Sequence, residues 1–187
     1  MKRSKITILL AIVLGMTFHS CLDLEPQDQL GGKNMWTSVN DYKQFANTFY
    51  SWTRDFSSVV YDGTHSDKRS DLITYQSYNE FSRGINSIPS SDANYTDNYK
   101  HIRRTNLLLQ NAEAYAKPED IKQYIGEAYF FRAYSYFDLL QLYGDVIITK
   151  KPLDITDPEM KVKRNDRSEV VDLIIDDLNH AVENLPA

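Results

Sequence analysis

Residues 126–144 read GEAYFFRAYSYFDLLQLYG, and this stretch decides the fold. Apolar and aromatic side chains lie around most of its helical circumference, so the helix must be covered on several sides. Pro118 suits the first turn of this helix, and Gly144 after Tyr143 suits a left-handed C-cap. The pattern therefore predicts a long helix at the centre of a multi-helix stack.

Two further helices are predicted on its N-terminal side. The first begins at Ser38, which has Asp41 three residues later in an N-cap arrangement. Its apolar face recurs at three- and four-residue spacing, and we interpret it as core: Tyr42, Phe45, Ala46, Phe49 and Trp52. The second spans Tyr99 to Ala116, with inward side chains at Ile102, Leu108, Leu109, Ala112 and Tyr115.

A fourth helix follows the central one. Asp166 and Glu169 resemble a capping box at its start, and Pro186 ends it. Its predicted buried stripe is Val171, Ile174, Leu178, Ala181 and Leu185. The β-branched run from Val146 to Thr149 predicts an extended segment or a short strand. Four long helices joined by short links favour an all-α helical-hairpin array, although no strict period shows repeats.

No regular period is found between about Asp55 and Asp97, a stretch that contains Gly63, Gly84 and Pro89. Long irregular segments inside a compact domain are commonly functional, so we expect ligand contacts here. Three acidic residues of this stretch could supply the carboxylate pair of a glycosidase: Asp67, Asp71 and Glu80. Surface solvation is, however, the commoner role of such side chains.

The N-terminus has the three parts of a secretion signal. Lys2, Arg3 and Lys5 form a positive region, and the apolar run at 6–18 follows it. At about 1.5 Å per residue this run spans roughly 20 Å, which is short of the ~30 Å hydrocarbon core of a bilayer. We therefore predict that residues 1–20 are a lipoprotein signal peptide rather than a membrane-spanning anchor.

Cys21 is the sole cysteine of the chain, and it lies where the apolar run ends, after the small residue Ser20. This placement resembles the lipobox of bacterial lipoproteins, although Phe18 and His19 depart from that pattern. We expect Cys21 to be lipidated and palmitate to be among its acyl chains. The alternatives are an ordinary cleaved signal with an incidental cysteine and a short signal anchor.

Residues 21–36 are predicted to be an acidic tether, because they contain Asp23, Glu25 and Asp28 together with the Gly31–Gly32 pair. Loss of residues 1–20 removes three positive charges and no acids, which changes the formal net charge from −5 to −8. Such a chain is not expected to bind nucleic acid, and its membrane contact is expected through the lipid anchor only.

The sequence contains no strong catalytic signature. Phosphate-binding glycine loops, HExxH, CxxC and G-x-S-x-G motifs do not occur. His65, His101 and His180 match no metal-ligand spacing. We therefore predict a protein that is not an enzyme and that has no metal and no cofactor.

Arg132 lies within the most apolar helix, where an isolated buried charge is costly. We interpret it as an internal brace paired either with Glu127 or with a residue of another helix. Asp176 and Asp177 are predicted to be exposed, facing away from Ile174.

Four stretches are similar to the SusD/RagB-like lipoproteins. Residues 126–146 resemble the family pattern GEA-x-F-x-RA-x-x-YF-x-L followed by LYGD. Tyr99, Ile102 and Asn106 match Y-x-x-I-x-x-x-N, and residues 167–186 resemble a helix with I-x-x-DL-x-x-A-x-x-x-LP. Asp23, Leu24 and Pro26 match a D-L-x-P segment after the cysteine.

The resemblance implies a tetratricopeptide-like array of helix pairs with long irregular loops. It implies a lipoprotein on the outer face of the outer membrane that caps a SusC-like TonB-dependent transporter. Such proteins bind an oligosaccharide or another nutrient without cutting it and deliver it to the transporter. In the starch-binding member, an aromatic residue and an asparagine at the places of Tyr95 and Asn98 contact sugar. The resemblance therefore predicts Tyr95 and Asn98 as ligand-binding residues.

Family members are much longer, so we interpret residues 37–187 as the N-terminal helical domain of a SusD-like fold, from a truncated gene or an incomplete sequence. Two other functions stay open. One is a tetratricopeptide-type envelope adaptor that binds no small ligand. The other is an anchored glycoside hydrolase.

Overall fold

The computed structural model describes residues 35–54, 83–85, 87–154 and 156–186. These residues form four α-helices, α1 (Val39–Asn47), α2 (Ala93–Glu113), α3 (Lys122–Tyr143) and α4 (Arg167–Asn184). Short 3-10 helices span Thr48–Trp52, Pro118–Ile121 and Pro158–Lys161. In the described ranges the sole β pairing is an isolated antiparallel bridge between Val146 and Asn165. The predicted all-α architecture is confirmed.

Several predicted features lie outside the described residues. They are the signal peptide at 1–20, the lipidation site Cys21, tether residues 21–34, and the acidic residues Asp67, Asp71 and Glu80. Among the helices that are described, none has the combination of length and apolar character that crossing a bilayer requires.

The helix ends follow the predicted capping chemistry. The carboxylate of Asp41 accepts from the backbone N–H of Ser38 at 2.8 Å, and Ser38 Oγ accepts from the N–H of Asp41 at 3.4 Å. Asp166 and Glu169 form the second capping box. Gly144 has the predicted positive φ of 72°, but its ψ of −107° lies far from the left-handed helical region. Both capping boxes are therefore confirmed, and the C-cap uses a conformation open mainly to glycine.

Helix α2 begins earlier than its period predicts. Asp92 is its N-cap, and Asp92 Oδ1 accepts from the backbone N–H of Asn94 at 2.9 Å. The helix therefore starts at Ala93 rather than at Tyr99. Tyr95, which falls in the predicted irregular stretch, and Asn98, which falls just before the predicted helix start, both lie in the first turns of α2.

Helix α3 is the central helix, as predicted. It packs against α1, α2 and α4. A core beside it combines residues of α2, α3, α4 and the segment after α3: Ile102, Ala133, Tyr136, Leu139, Val146, Val170, Leu173 and Ile174.

Helix α4 is rotated relative to its predicted orientation. Val171 and Leu178 were expected in the buried stripe, but they are 36% and 40% exposed. The buried side chains are those of Val170, Leu173, Ile174, Asp177 and Ala181. Apolar residues occupy more than one face of this helix, and the observed rotation places the Asp177 carboxylate inside. The predicted stripe is correct at Ile174 and Ala181 and wrong at Val171 and Leu178.

Residues 146–149 form an extended segment whose backbone groups are satisfied mainly by side chains. The hydroxyl of Tyr99 donates to the carbonyl of Ile147 at 2.8 Å and accepts from its N–H at 2.9 Å. The hydroxyl of Tyr136 does the same for Thr149, at 3.2 and 2.7 Å. Asn165 Oδ1 accepts from the N–H of Ile148 at 2.9 Å. Because buried backbone groups need partners, these contacts fix the segment against α2 and α3.

Candidate functional site

A groove of about 450 Å³ lies between α2 and the chain that follows residue 146. Such a volume falls within the range of small-molecule sites. Its apolar lining comes from both sides of the groove: Tyr95, Tyr99, Ile147, Leu153 and Met160. The two walls are about fifty residues apart in sequence, and side-chain bonds from Tyr99, Tyr136, Asn106 and Asn165 hold the second wall in place.

Tyr95 is half-buried within a cluster of three tyrosine rings. Its ring centroid is 4.8 Å from that of Tyr99 and 5.2 Å from that of Tyr143, the latter in an edge-to-face contact. The hydroxyl of Tyr143 donates to Asp92 Oδ2 at 2.7 Å. This bond lowers the pKa of Asp92 below its usual value. The N-cap of α2 and the position of the Tyr95 ring are therefore coupled.

Tyr99 has a different role from Tyr95. Burial raises the pKa of its phenol well above the usual value, and the hydroxyl is occupied by both backbone groups of Ile147. Tyr99 thus forms a fixed apolar wall and offers no free polar group to a ligand.

Charged side chains line the groove. Lys100 Nζ is 2.8 Å from Asp97 Oδ1, and Lys151 Nζ is 2.7 Å from Glu159 Oε1. Arg103 Nε donates to the carbonyl of Leu153 at 3.3 Å. The groove therefore offers an apolar, aromatic lining together with hydrogen-bond donors, a combination suited to a ligand with both CH faces and oxygen atoms.

The structure separates the two predicted ligand residues. Tyr95 lines the groove. Asn98 is buried, and its Nδ2 donates to the carbonyl of Asn94 at 2.8 Å. Its amide is thus used within α2, and Asn98 is not among the residues that line the groove. A ligand role for either residue stays a prediction.

Sequence reasoning missed Arg103, Lys100 and Lys151. A signal was present for the first, because Tyr95, Tyr99 and Arg103 follow one another at four-residue spacing on one face of α2. The contribution of residues 147–160 to the groove has no comparable sequence signal.

Arg132 belongs to a buried polar network that joins three helices. Its Nε and Nη2 donate to the two carboxylate oxygens of Asp177 at 2.8 and 2.6 Å, and its Nη1 donates to Asn106 Oδ1 at 2.8 Å. Burial is the largest single influence and lowers the pKa of Arg132, but the hydrogen bonds and charge of Asp177, together with Tyr129 and Tyr136, outweigh it, so the pKa is raised. The predicted brace therefore uses a partner on another helix rather than Glu127.

The prediction that Asp177 is exposed is wrong, because its side chain is fully buried against Arg132. Asp176 is 57% exposed, as predicted. Glu127 accepts from Gln123 Nε2 at 2.8 Å, while its second oxygen is buried without a hydrogen-bond partner among the described residues.

The described histidines are packing and surface residues. His101 stacks on Trp52 at 4.1 Å between ring centroids, and His180 lies 3.7 Å from Asp176 and 3.6 Å from Glu183. In the part of the chain that the structure describes, no group of three or more histidine, cysteine or acidic side chains could hold a metal ion.

Comparison with known proteins places these features in a family. A family model described as "Starch-binding associating with outer membrane", of the SusD-like group, matches residues 22–187. SusD-like protein P38 of Formosa agariphila is 28% identical over 204 residues, which cover 98% of this chain and 38% of the relative. The chain thus spans about two fifths of that relative's length.

Solved structures agree with the fold. A SusD-like protein from Bacteroides fragilis superposes with a TM-score of 0.66 at 23% identity, covering 87% of this chain and 32% of that protein. A laminarin-binding SusD-like protein superposes with a TM-score of 0.51 at 31% identity, covering 57% and 23%. Because the family model matches the whole sequence after Cys21, this chain belongs to the SusD-like family.

Proposed function

We propose that this chain is a surface lipoprotein that binds a glycan at the outer membrane and delivers it to a SusC-like TonB-dependent transporter. The observation that carries this proposal is the family match over residues 22–187, whose description joins starch binding to the outer membrane. The matched relative is longer than this chain, which covers 38% of it.

The groove supports carbohydrate as the ligand. Sugar rings present CH groups on one face and hydroxyls at their edges. Tyr95 is partly exposed and can stack on the CH face, while Lys100, Arg103 and Lys151 can donate to hydroxyl oxygens. A groove of about 450 Å³ has room for one or two sugar rings.

The same groove favours binding without cleavage. Glycoside hydrolysis by the usual route needs two carboxyl groups about 5–10 Å apart across the scissile bond. Among the described side chains that line the groove, Glu159 is the sole carboxylate, and it is paired with Lys151 at 2.7 Å. An anchored hydrolase is therefore the weaker alternative.

The N-terminal sequence supports a lipid anchor. The family match begins at residue 22, directly after Cys21. Each buried acyl methylene contributes about 0.8 kcal/mol, so two or more chains on Cys21 hold a protein stably on a membrane.

The anchor is tested by expressing the full chain in an outer-membrane-bearing host supplied with alkyne palmitate. The wild type is expected to incorporate the label and to become accessible to protease added to intact cells. Cys21→Ser is the matched control, and it is expected to lose the label. An unlabelled wild type would overturn the anchor.

Ligand binding is tested by calorimetry on the detergent-solubilised full chain with neutral and acidic oligosaccharides. Binding of at least one oligosaccharide with no released product supports the proposal. Product release would identify a hydrolase. Absence of binding to every saccharide would favour the envelope adaptor.

A further inference from the structure

We infer that the groove selects an acidic saccharide, whose carboxylate Arg103 binds while its ring stacks on Tyr95. This inference rests on the proposed glycan-binding function and names the chemical class of the glycan. The formal charge of the whole chain is −5, yet of the four charged side chains that line the groove within the described residues, three are cationic. The formal charge of the groove-lining side chains is therefore opposite in sign to that of the whole chain.

Two of these cations are already balanced. Lys100 pairs with Asp97 at 2.8 Å, and Lys151 pairs with Glu159 at 2.7 Å and lies 3.7 Å from Asp157. Both lysines are more than half exposed, so their ion pairs are weak and water-screened. These lysines can donate to sugar hydroxyls, but they leave little charge unneutralised.

Arg103 differs from the lysines. Its one hydrogen bond joins Nε to the carbonyl of Leu153, and across the described ranges no carboxylate lies within ion-pair distance of its guanidinium. The bond through Nε orients the guanidinium and leaves both terminal nitrogens for a ligand. Two terminal N–H groups side by side match the two oxygens of a carboxylate.

The spacing along α2 places this guanidinium beside the aromatic wall. Tyr95, Tyr99 and Arg103 are four residues apart, about 6 Å per step along the helix axis, so Tyr95 and Arg103 are separated by roughly 12 Å of α2. An Arg side chain reaches several ångströms along a helix. A sugar ring stacked on the tyrosines therefore places a carboxylate carried by that sugar ring near Arg103. A sugar that carries its acid on the ring, a uronate, fits this order of groups.

The inference is tested by measuring the affinity for oligomers of galacturonate, glucuronate and mannuronate, each as the free acid and as its methyl ester. The ester keeps the ring and its hydroxyls and removes the charge. For at least one sugar the acid is expected to bind the detergent-solubilised full chain 10- to 100-fold more tightly than its ester. That preference is expected to decline as NaCl rises, because exposed charges are screened.

Arg103→Gln is expected to remove the preference by weakening the acid to the level of the ester. Lys43→Gln is the matched control, since it removes one positive charge from an exposed position on α1 outside the groove. Arg103→Lys keeps the charge without the paired donors, and it is expected to retain only part of the preference.

The outcomes separate this inference from the proposed function. Equal binding of acids and esters, or binding of neutral oligosaccharides alone, would overturn acid selection and leave glycan binding intact. A preference that survives Arg103→Gln would also overturn the inference. Lack of binding to every saccharide, neutral or acidic, would overturn both.

Discussion

Arg132 on α3 and Asp177 on α4 form a two-pronged ion pair, with N–O distances of 2.8 and 2.6 Å, and both side chains are at least 94% buried. Asn106 of α2 accepts a third bond from the same guanidinium at 2.8 Å. The three residues come from three separate sequence stretches that resemble the SusD-like family. Those stretches are therefore joined by one polar contact at the centre of the helix packing.

Loss of one partner of this pair should destabilise the fold strongly. Asp177→Ala leaves the Arg132 guanidinium buried without its counter-ion, which typically costs about 3–5 kcal/mol. Urea unfolding followed by circular dichroism measures the change. Asp176→Ala is the control on the adjacent residue, and its 57% exposed side chain predicts a change below about 0.5 kcal/mol.

Removing both charges should be milder than removing one. An apolar pair such as Arg132→Leu with Asp177→Leu can replace a buried ion pair at little net cost. We expect the double variant to be more stable than Asp177→Ala alone. Equal destabilisation of Asp176→Ala and Asp177→Ala would contradict the buried pair.

Tyr136 should be among the most costly residues to truncate. Its side chain is fully buried and its hydroxyl bonds both backbone groups of Thr149. Tyr136→Ala is expected to lose about 3–5 kcal/mol of unfolding free energy. Tyr136→Phe keeps the ring and removes the partner of the Thr149 N–H, while the Thr149 carbonyl keeps its bond from Asn106 Nδ2 at 2.9 Å. The expected loss is about 1–3 kcal/mol. Phe137→Ala is the neighbouring control, because Phe137 is 45% exposed, and a loss as large as that of Tyr136→Ala would refute the assignment.

Gly126 should not tolerate a side chain. A Cβ atom there would lie 3.0 Å from both the backbone nitrogen and Cγ of Leu185, where the end of α4 crosses α3. Helix propensity by itself favours alanine by about 1 kcal/mol, but the overlap with a backbone atom opposes it. Gly126→Ala is expected to cost about 1–3 kcal/mol. Leu185→Ala relieves only the side-chain overlap, so the double variant should recover little, and a stabilised Gly126→Ala would show that the helices do not meet there.

The acid stability of α2 should depend on Asp92. Its pKa is lowered in the folded state, chiefly by the Tyr143 hydroxyl bond, so its contribution is present above the unfolded pKa of about 3.9. That contribution is lost as the pH falls through the lower, folded pKa. Between pH 7 and pH 2, the unfolding free energies of Asp92→Asn and Tyr143→Phe should therefore decline less steeply than that of the wild type. An unchanged decline in both variants would exclude this cap as a source of acid sensitivity.

How far the sequence predicts this fold can be judged from α3 and α4. The apolar circumference of α3 identified the central helix and required a partner for Arg132, and both inferences agree with the structure. Which carboxylate reaches Arg132 depends on the rotation of α4. Its apolar residues fall on more than one face, so period alone could not choose between Val171 with Leu178 and Val170 with Asp177.

The groove was less predictable than the helices. One wall is α2 and the other is residues 147–160, and tertiary bonds from Tyr99, Tyr136 and Asn165 bring the second wall into place. Periodicity identified none of these bonds. Tyr95 was selected by family resemblance, and residues 55–82, where ligand contacts were also expected, lie outside the described residues.

The two predicted ligand residues can be told apart by their variants. Tyr95→Ala removes the partly exposed ring of the groove and is expected to weaken oligosaccharide binding about 10-fold or more. The same ring packs on Tyr99 and Tyr143, so the unfolding midpoint is expected to fall as well. Tyr95→Trp offers a larger stacking face and should bind at least as tightly as the wild type. Asn98→Ala breaks a bond within α2 and should lower stability more than affinity. Calorimetry measures the affinity of the three variants, and thermal unfolding measures their stability. A loss of affinity in Asn98→Ala as large as in Tyr95→Ala would show that the Asn98 amide contacts the sugar.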